Sequence, residues 1–255
     1  MRKLPVLIQQ WILKHGIKLS KILLILTVIF YALLGIWIFI YIPDDYLQGR
    51  LVKIMYIHVP CAWISTISYC AMALSAFAFL ISRIPFYDII GEALAKISLN
   101  ATAIALITGA IWGKPTWGTW WVWDARLTSV LAQFFLLLVY YMIRNSGSSS
   151  AMLSYNNRIA QQQHKPRGRL ISFHSAQLSS IMAIVGVINV PIIKLSVYLW
   201  HSLHQTSSVF TSSGVRIDSE LFSPLIVAFI AISLFYITIF LRALTKVFGT
   251  RSNVI

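Results

Sequence analysis

Six apolar stretches of this 255-residue chain contain no charged side chain: between Lys21 and Asp44, Lys53 and Arg83, Lys96 and Lys114, Arg126 and Arg144, Arg169 and Lys194, and Glu220 and Arg242. Each is roughly 17 residues or longer, enough to cross about 30 Å of hydrocarbon as a helix. In lipid, every backbone N–H and C=O must find its partner inside the protein, so a spanning segment is a helix or a barrel strand. Barrel strands alternate apolar and polar residues, and these stretches do not. The expected fold is all-α. A single polytopic membrane domain covers 1–255, with six transmembrane helices at about 22–42, 54–82, 97–113, 127–143, 175–193 and 221–241.

Composition agrees. Hydrophobic residues make up 58% of the chain and charged residues 11%, where a soluble domain carries about 25% charge. The first apolar run begins near Ile22 and lacks a small-residue cleavage site, so it reads as a retained helix rather than a signal peptide. Cys61 and Cys70 share one apolar run and form no C-x-x-C, which excludes a dithiol redox motif. The net charge of +14 would raise nucleic acid as a partner. No basic run is interleaved with exposed aromatics, however, so nucleic acid is excluded.

The cations set a direction. Fifteen of the 21 Lys and Arg flank one side of the predicted spans, and the remaining six flank the other. The positive-inside rule then puts both termini in the cytoplasm and turns three loops outward, at about 43–53, 114–126 and 195–221. The inside segment from Asn145 to Arg169 is rich in Ser, Asn and Gln and reads as a solvated connector. No internal repeat is visible.

The second outer loop, between helices 3 and 4, is rich in tryptophan. Five of the nine Trp residues (Trp112, Trp117, Trp120, Trp121 and Trp123) fall within twelve positions, with Asp124 and Arg126 beside them. If the segment is helical, Trp117, Trp120, Trp121 and Asp124 share one face at i, i+3, i+4, i+7 spacing. Such a face is a platform for a planar ligand. The other reading is an interfacial aromatic belt. Two other outer segments carry imidazoles: His58 at the start of the second span, and His201 and His204 in the last outer loop. A neutral imidazole from each of two segments is the ligand set of a six-coordinate haem iron. Arg50, Lys53, Lys114, Arg126 and Lys194 lie near these positions. They are either partners for acidic groups of a ligand or markers of the headgroup boundary.

With these residues in hand, the run Trp117-Gly118-Thr119-Trp120-Trp121-Val122-Trp123-Asp124-Ala125-Arg126-Leu127-Thr128 resembles the signature of the tryptophan-rich (WWD) haem-handling superfamily. End to end, the chain is similar to the cytochrome c maturation protein C (CcmC) family. The Tyr56-Ile57-His58-Val59-Pro60 entry to span two and Leu203-His204-Gln205 in the last outer loop carry that likeness. The resemblance implies that haem b is bound at the outer, periplasmic face of a bacterial inner membrane, or at the mitochondrial inner membrane. From there it passes to a membrane-anchored haem chaperone (CcmE). It further implies His58 and His204 as axial iron ligands. Trp117, Trp120, Trp121 and Trp123 would be the platform beside Asp124, with Arg126 on one propionate and Lys53 near the other. Implied partners are the ABC transporter subunits CcmA and CcmB, the small single-span subunit CcmD and membrane lipid. His201 is an additional imidazole one turn from His204 if that segment is helical.

Two other functions remain in view. A cytochrome b-like electron carrier would place His pairs mid-span, which these sequences do not offer. A transmembrane haem transporter subunit would show paired broken helices near the midplane. No nucleophile–base pair or carboxylate dyad occurs in the outer loops, so no enzyme activity is expected.

Overall fold

The computed structural model describes residues 3–46, 48–159, 173–200, 202–204 and 217–252. Its elements are α1 (Lys3–Ile36), a π-helical turn (Trp37–Tyr41), a 3-10 turn (Arg50–Ile54), α2 (Met55–Ser82), α3 (Pro85–Trp117), α4 (Ala125–Ile159), α5 (Phe173–Gly186), α6 (Asn189–Leu199) and α7 (Ser219–Ser252). Six helical units are long and apolar enough to cross a membrane: Leu4–Tyr41, Arg50–Ser82, Pro85–Trp117, Ala125–Ser146, Phe173–Leu199 and Ser219–Gly249. The fold is all-α and polytopic.

Most helices overrun the charge-free stretches, because charged ends continue the helix into the headgroup region, where water satisfies side chains. α1 therefore begins at Lys3 rather than near Ile22. The connector expected from Asn145 is helical over its first part, since α4 continues to Ile159. No proline interrupts that part, and the single glycine, Gly147, costs a helix only about 1 kcal/mol. The remainder of the expected connector lies outside the described residues.

Local chemistry sets the turns. Arg83 takes the left-handed conformation (φ 57°) as the C-cap of α2, and Pro85 opens α3, where its missing N–H costs nothing. These residues form a tight α2–α3 hairpin, and α2 packs along α3 as α1 packs along α7. The fifth span is broken between α5 and α6. Pro191 has no N–H for the carbonyl of Val187 and its ring crowds that carbonyl. The chain therefore tightens at Val187–Ile188, with Val187 N–H donating to Ile184 O at 3.2 Å. The Asn189 amide bridges the break to α4 by donating to Ser129 O at 2.8 Å.

Two polar layers lie inside the bundle. Near mid-span, Gln133 Nε2 donates to Ser65 Oγ at 2.8 Å, and Ser65 bonds Thr102 at 2.6 Å. At the cation-rich end, Arg144 is 2% exposed and grips Asp88 with two bonds of 2.7 Å. It also reaches Glu92 at 3.0 Å, and Lys96 meets Glu92 at 2.9 Å. Arg144 is thus an interior group that ties α4 to α3.

Candidate functional site

The opposite end of the bundle gathers the residues singled out above. His58 sits in the first turn of α2, directly after the 3-10 turn. Its Nδ1 lies 3.1 Å from Thr108 Oγ1 on α3. The Thr108 hydroxyl donates its proton to Ile104 O at 2.7 Å. It therefore accepts from His58 Nδ1–H, which fixes the tautomer and leaves Nε2 with its lone pair. Gly109 makes room for the ring, since a Cβ there would stand 3.0 Å from His58 Cε1. Trp112, one turn on from Thr108, meets His58 edge to face at 5.7 Å between centroids.

Trp112 is held in turn by the first outer loop. Its Nε1 donates to Gln48 Oε1 at 2.7 Å, and Gln48 N–H donates to Asp45 Oδ1 at 2.7 Å. Asp45 and Gly49 close the loop as a small antiparallel bridge, with Gly49 at φ 56°. Asp44 takes the two nearby cations, Lys53 and Arg50, each at 3.4 Å.

The tryptophan segment is not a continuous helix. α3 stops at Trp117 because Gly118 takes the left-handed conformation (φ 78°) that glycine alone adopts without strain. Lys114 Nζ donates to Gly118 O at 3.0 Å and so binds the exposed end of α3. The shared face expected of Trp117, Trp120, Trp121 and Asp124 does not form. Trp117 packs back over Gly113. Trp121 and Trp123 meet edge to face at 5.6 Å in an irregular loop. Trp120 is 58% and Trp123 78% exposed. Trp121 turns inward, and its Nε1 is buried with no partner among the described residues.

Asp124 ends this loop and starts α4 as an N-cap, its Oδ1 accepting from Leu127 N–H at 2.8 Å. Its Oδ2 accepts from Ser202 Oγ at 2.5 Å, and Ser202 Oγ accepts from His204 N–H at 3.0 Å. Asp124 is thereby a joint between the tryptophan loop and the last loop. Arg126 Nη1 donates to Ile193 O on α6 at 2.7 Å. A shallow groove of about 440 Å³ runs between Val122, Trp123, Asp124, Ser202 and Leu203.

These contacts bring the rings of His58 and His204 to 6.4 Å between centroids, inclined at 37°. The imidazoles come from segments nearly 150 residues apart in sequence. His201 lies outside the described residues. Thr108, Gly109, Gln48 and Ser202 were not singled out from the sequence, and Trp112 only as part of the tryptophan run. A helical reading back from Trp112 would have put Thr108 on its face at i−4. Gln48 and Ser202 leave no such local signal.

The fold and this end together define a class: a polytopic α-helical membrane protein with a facing imidazole pair and a tryptophan loop at one membrane surface. The sequence profile described as Heme exporter protein C matches residues 8–154 and 172–254. Relatives include Heme exporter protein C of Bradyrhizobium diazoefficiens, 38% identical over 79% of this chain and 68% of that protein. Heme exporter protein C of Escherichia coli K12 is 39% identical over 74% of this chain and 67% of its own length. A putative cytochrome c biosynthesis ccmC-like mitochondrial protein of Marchantia polymorpha is 38% identical over 80% of this chain and 75% of its own length. The chain belongs to the Heme exporter protein C family.

Proposed function

We propose that this chain binds haem b between His58 and His204 and passes it to the membrane-anchored haem chaperone of cytochrome c maturation. The observation that carries the reading is the 6.4 Å between the two ring centroids. A metal about 2 Å from each of two imidazole nitrogens, with each ring centre roughly 1 Å further back, separates the centroids by about 6 Å. The hydrogen bond to Thr108 leaves His58 Nε2 as the ligating atom.

The surroundings suit a porphyrin as cargo. Trp112 and the Trp121–Trp123 pair offer aromatic surface. The unpartnered Trp121 N–H is a donor in want of an acceptor. Arg126 and Lys53 would meet the propionates, exchanging the Ile193 carbonyl and Asp44 for them. Trp117 and the exposed Trp120 border the same loop, and Trp120 and Trp123 present an apolar edge to an incoming chaperone. The protein is not an enzyme, since its family delivers haem rather than transforming it. The excess of cations at the far end supports a site on the outer face with cytoplasmic termini. Bacterial and mitochondrial relatives support an inner membrane of either kind. The partners proposed are CcmE, CcmA, CcmB and CcmD.

The break between α5 and α6 favours a second reading, transmembrane haem transport, but the Asn189 amide at the break is already bonded to Ser129. A proteoliposome flux assay separates the two readings. The primary test is absorption and resonance Raman spectroscopy of purified protein carrying His58→Ala or His204→Ala. Each variant should lose the bis-imidazole spectrum while keeping its helicity. An unchanged spectrum in either removes that residue from the ligand set.

A further inference from the structure

α6 ends at Leu199, and Trp200 leaves it in an extended conformation. Ser202, Leu203 and His204 follow as irregular backbone, so no helix fixes the point from which the His204 imidazole reaches out. His58 is placed differently: it rides on α2, and its ring is held directly by Thr108. Groups that act together at a site must be held to within about 0.5 Å. An imidazole borne on a loop therefore needs its backbone fixed from another element.

Ser202 supplies such a hold. Its Oγ lies 2.5 Å from Asp124 Oδ2. An ionised carboxylate only accepts, so the hydroxyl proton goes to Asp124, and the bond is of the short, charge-assisted kind. A lone pair of the same Oγ accepts His204 N–H at 3.0 Å, closing a side chain-to-backbone turn across two residues. Donation to a carboxylate makes that oxygen the better acceptor. Asp124 is itself anchored. Its Oδ1 takes Leu127 N–H at 2.8 Å and its carbonyl takes Thr128 N–H at 3.0 Å. It is thus built into the first turn of α4, whose positive end favours its charge. The bonds run in order from the head of α4 through Asp124 and Ser202 to the His204 backbone. Asp124 and Ser202 both line the shallow groove beside Trp123, so this clasp stands at the surface rather than in the core.

Taking His204 as an iron ligand, as proposed above, we propose that Ser202 is its positioning residue. Clasped by Asp124, Ser202 holds the His204 backbone where the ring can complete the pair with His58. Its contribution to haem affinity passes through His204.

The test is a double-mutant cycle of Ser202→Ala and His204→Ala in the purified full-length protein, read by haem titration and by electron paramagnetic resonance of the ferric form. Ser202→Ala should weaken haem binding about tenfold and convert part of the low-spin signal to high spin. Ser202→Thr keeps the hydroxyl and should restore both. In the His204→Ala background, Ser202→Ala should change nothing further, because the ligand it positions is gone. In the haem-free protein, hydrogen exchange at the His204 amide should speed up in Ser202→Ala and not in Ser202→Thr. Unchanged affinity in Ser202→Ala, an equal loss in both backgrounds, a threonine that fails to restore binding, or unaltered amide exchange would each overturn the proposal. A wild type without a low-spin bis-imidazole signal would remove the ligand assignment itself, and this role with it.

Discussion

At the scale of single residues, the chemistry proposed for the imidazole end depends on groups that hold an imidazole in place. Thr108 is the clearest. Its oxygen accepts from His58 Nδ1–H because its own proton is spent on Ile104 O. Thr108→Val keeps shape and removes one acceptor from the His58 ring, so the tautomer with Nδ1–H is less favoured. Loss of a partner that orients a metal-ligating histidine costs about 10–100-fold in affinity. Haem affinity of Thr108→Val should fall within that range and Thr108→Ser should restore it, both read by haem titration with midpoint potential as the second readout. If valine behaves like wild type in both, the hydrogen bond has no part in binding. The sequence made His58, His204 and the tryptophan run legible because those residue types are rare at a membrane surface. Thr108, Gln48 and Ser202 were illegible, because their partners lie 50, 64 and 78 positions away and no local pattern records such a pairing.

At the scale of elements, the ends of helices decide where the site residues point. Gly118 stops α3 one residue after Trp117, so the following tryptophans leave the helix and separate into an inward Trp121 and outward Trp120 and Trp123. The i, i+3, i+4, i+7 spacing of the sequence is real, yet a left-handed residue inside it cancels the shared face. The break at Pro191 was similarly hidden, because a proline among apolar residues is compatible with either a kinked or an interrupted span. At the other end, the Arg144–Asp88–Glu92 cluster holds α3 to α4 from inside. Removing one partner of a buried ion pair leaves a charge without compensation and costs about 3–5 kcal/mol. Asp88→Asn should therefore lower the thermal midpoint strongly, as should Arg144→Met. The double variant Asp88→Asn/Arg144→Met should lose less than the sum of the two, because the guanidinium that Asp88→Asn leaves with Glu92 alone is gone. Additive losses in a thermal-shift double-mutant cycle would show that the two side chains act independently.

At the scale of the whole molecule, the two ends differ in kind. One collects the His58–His204 pair, the tryptophan loop and five of the seven carboxylates, and the other collects most of the cations. Six runs both apolar and uncharged made the number of spans legible, since charge in hydrocarbon is expensive wherever it occurs. The orientation proposed rests on the same asymmetry, because cation-rich segments resist translocation. That argument yields a measurement independent of haem. Cys61 is buried and Cys70 partly so, which keeps the native thiol background low. Tyr46 is 99% exposed in the first loop at the imidazole end, and Lys14 is exposed on α1 near the other. In intact bacterial cells expressing the protein, Tyr46→Cys should react with a membrane-impermeant maleimide applied outside. Lys14→Cys should react only after permeabilisation. The reverse pattern would turn the imidazole pair toward the cytoplasm and rule out transfer to a chaperone on the outer face. Equal labelling of both before permeabilisation would mean a mixed orientation, which a cation asymmetry of this size opposes.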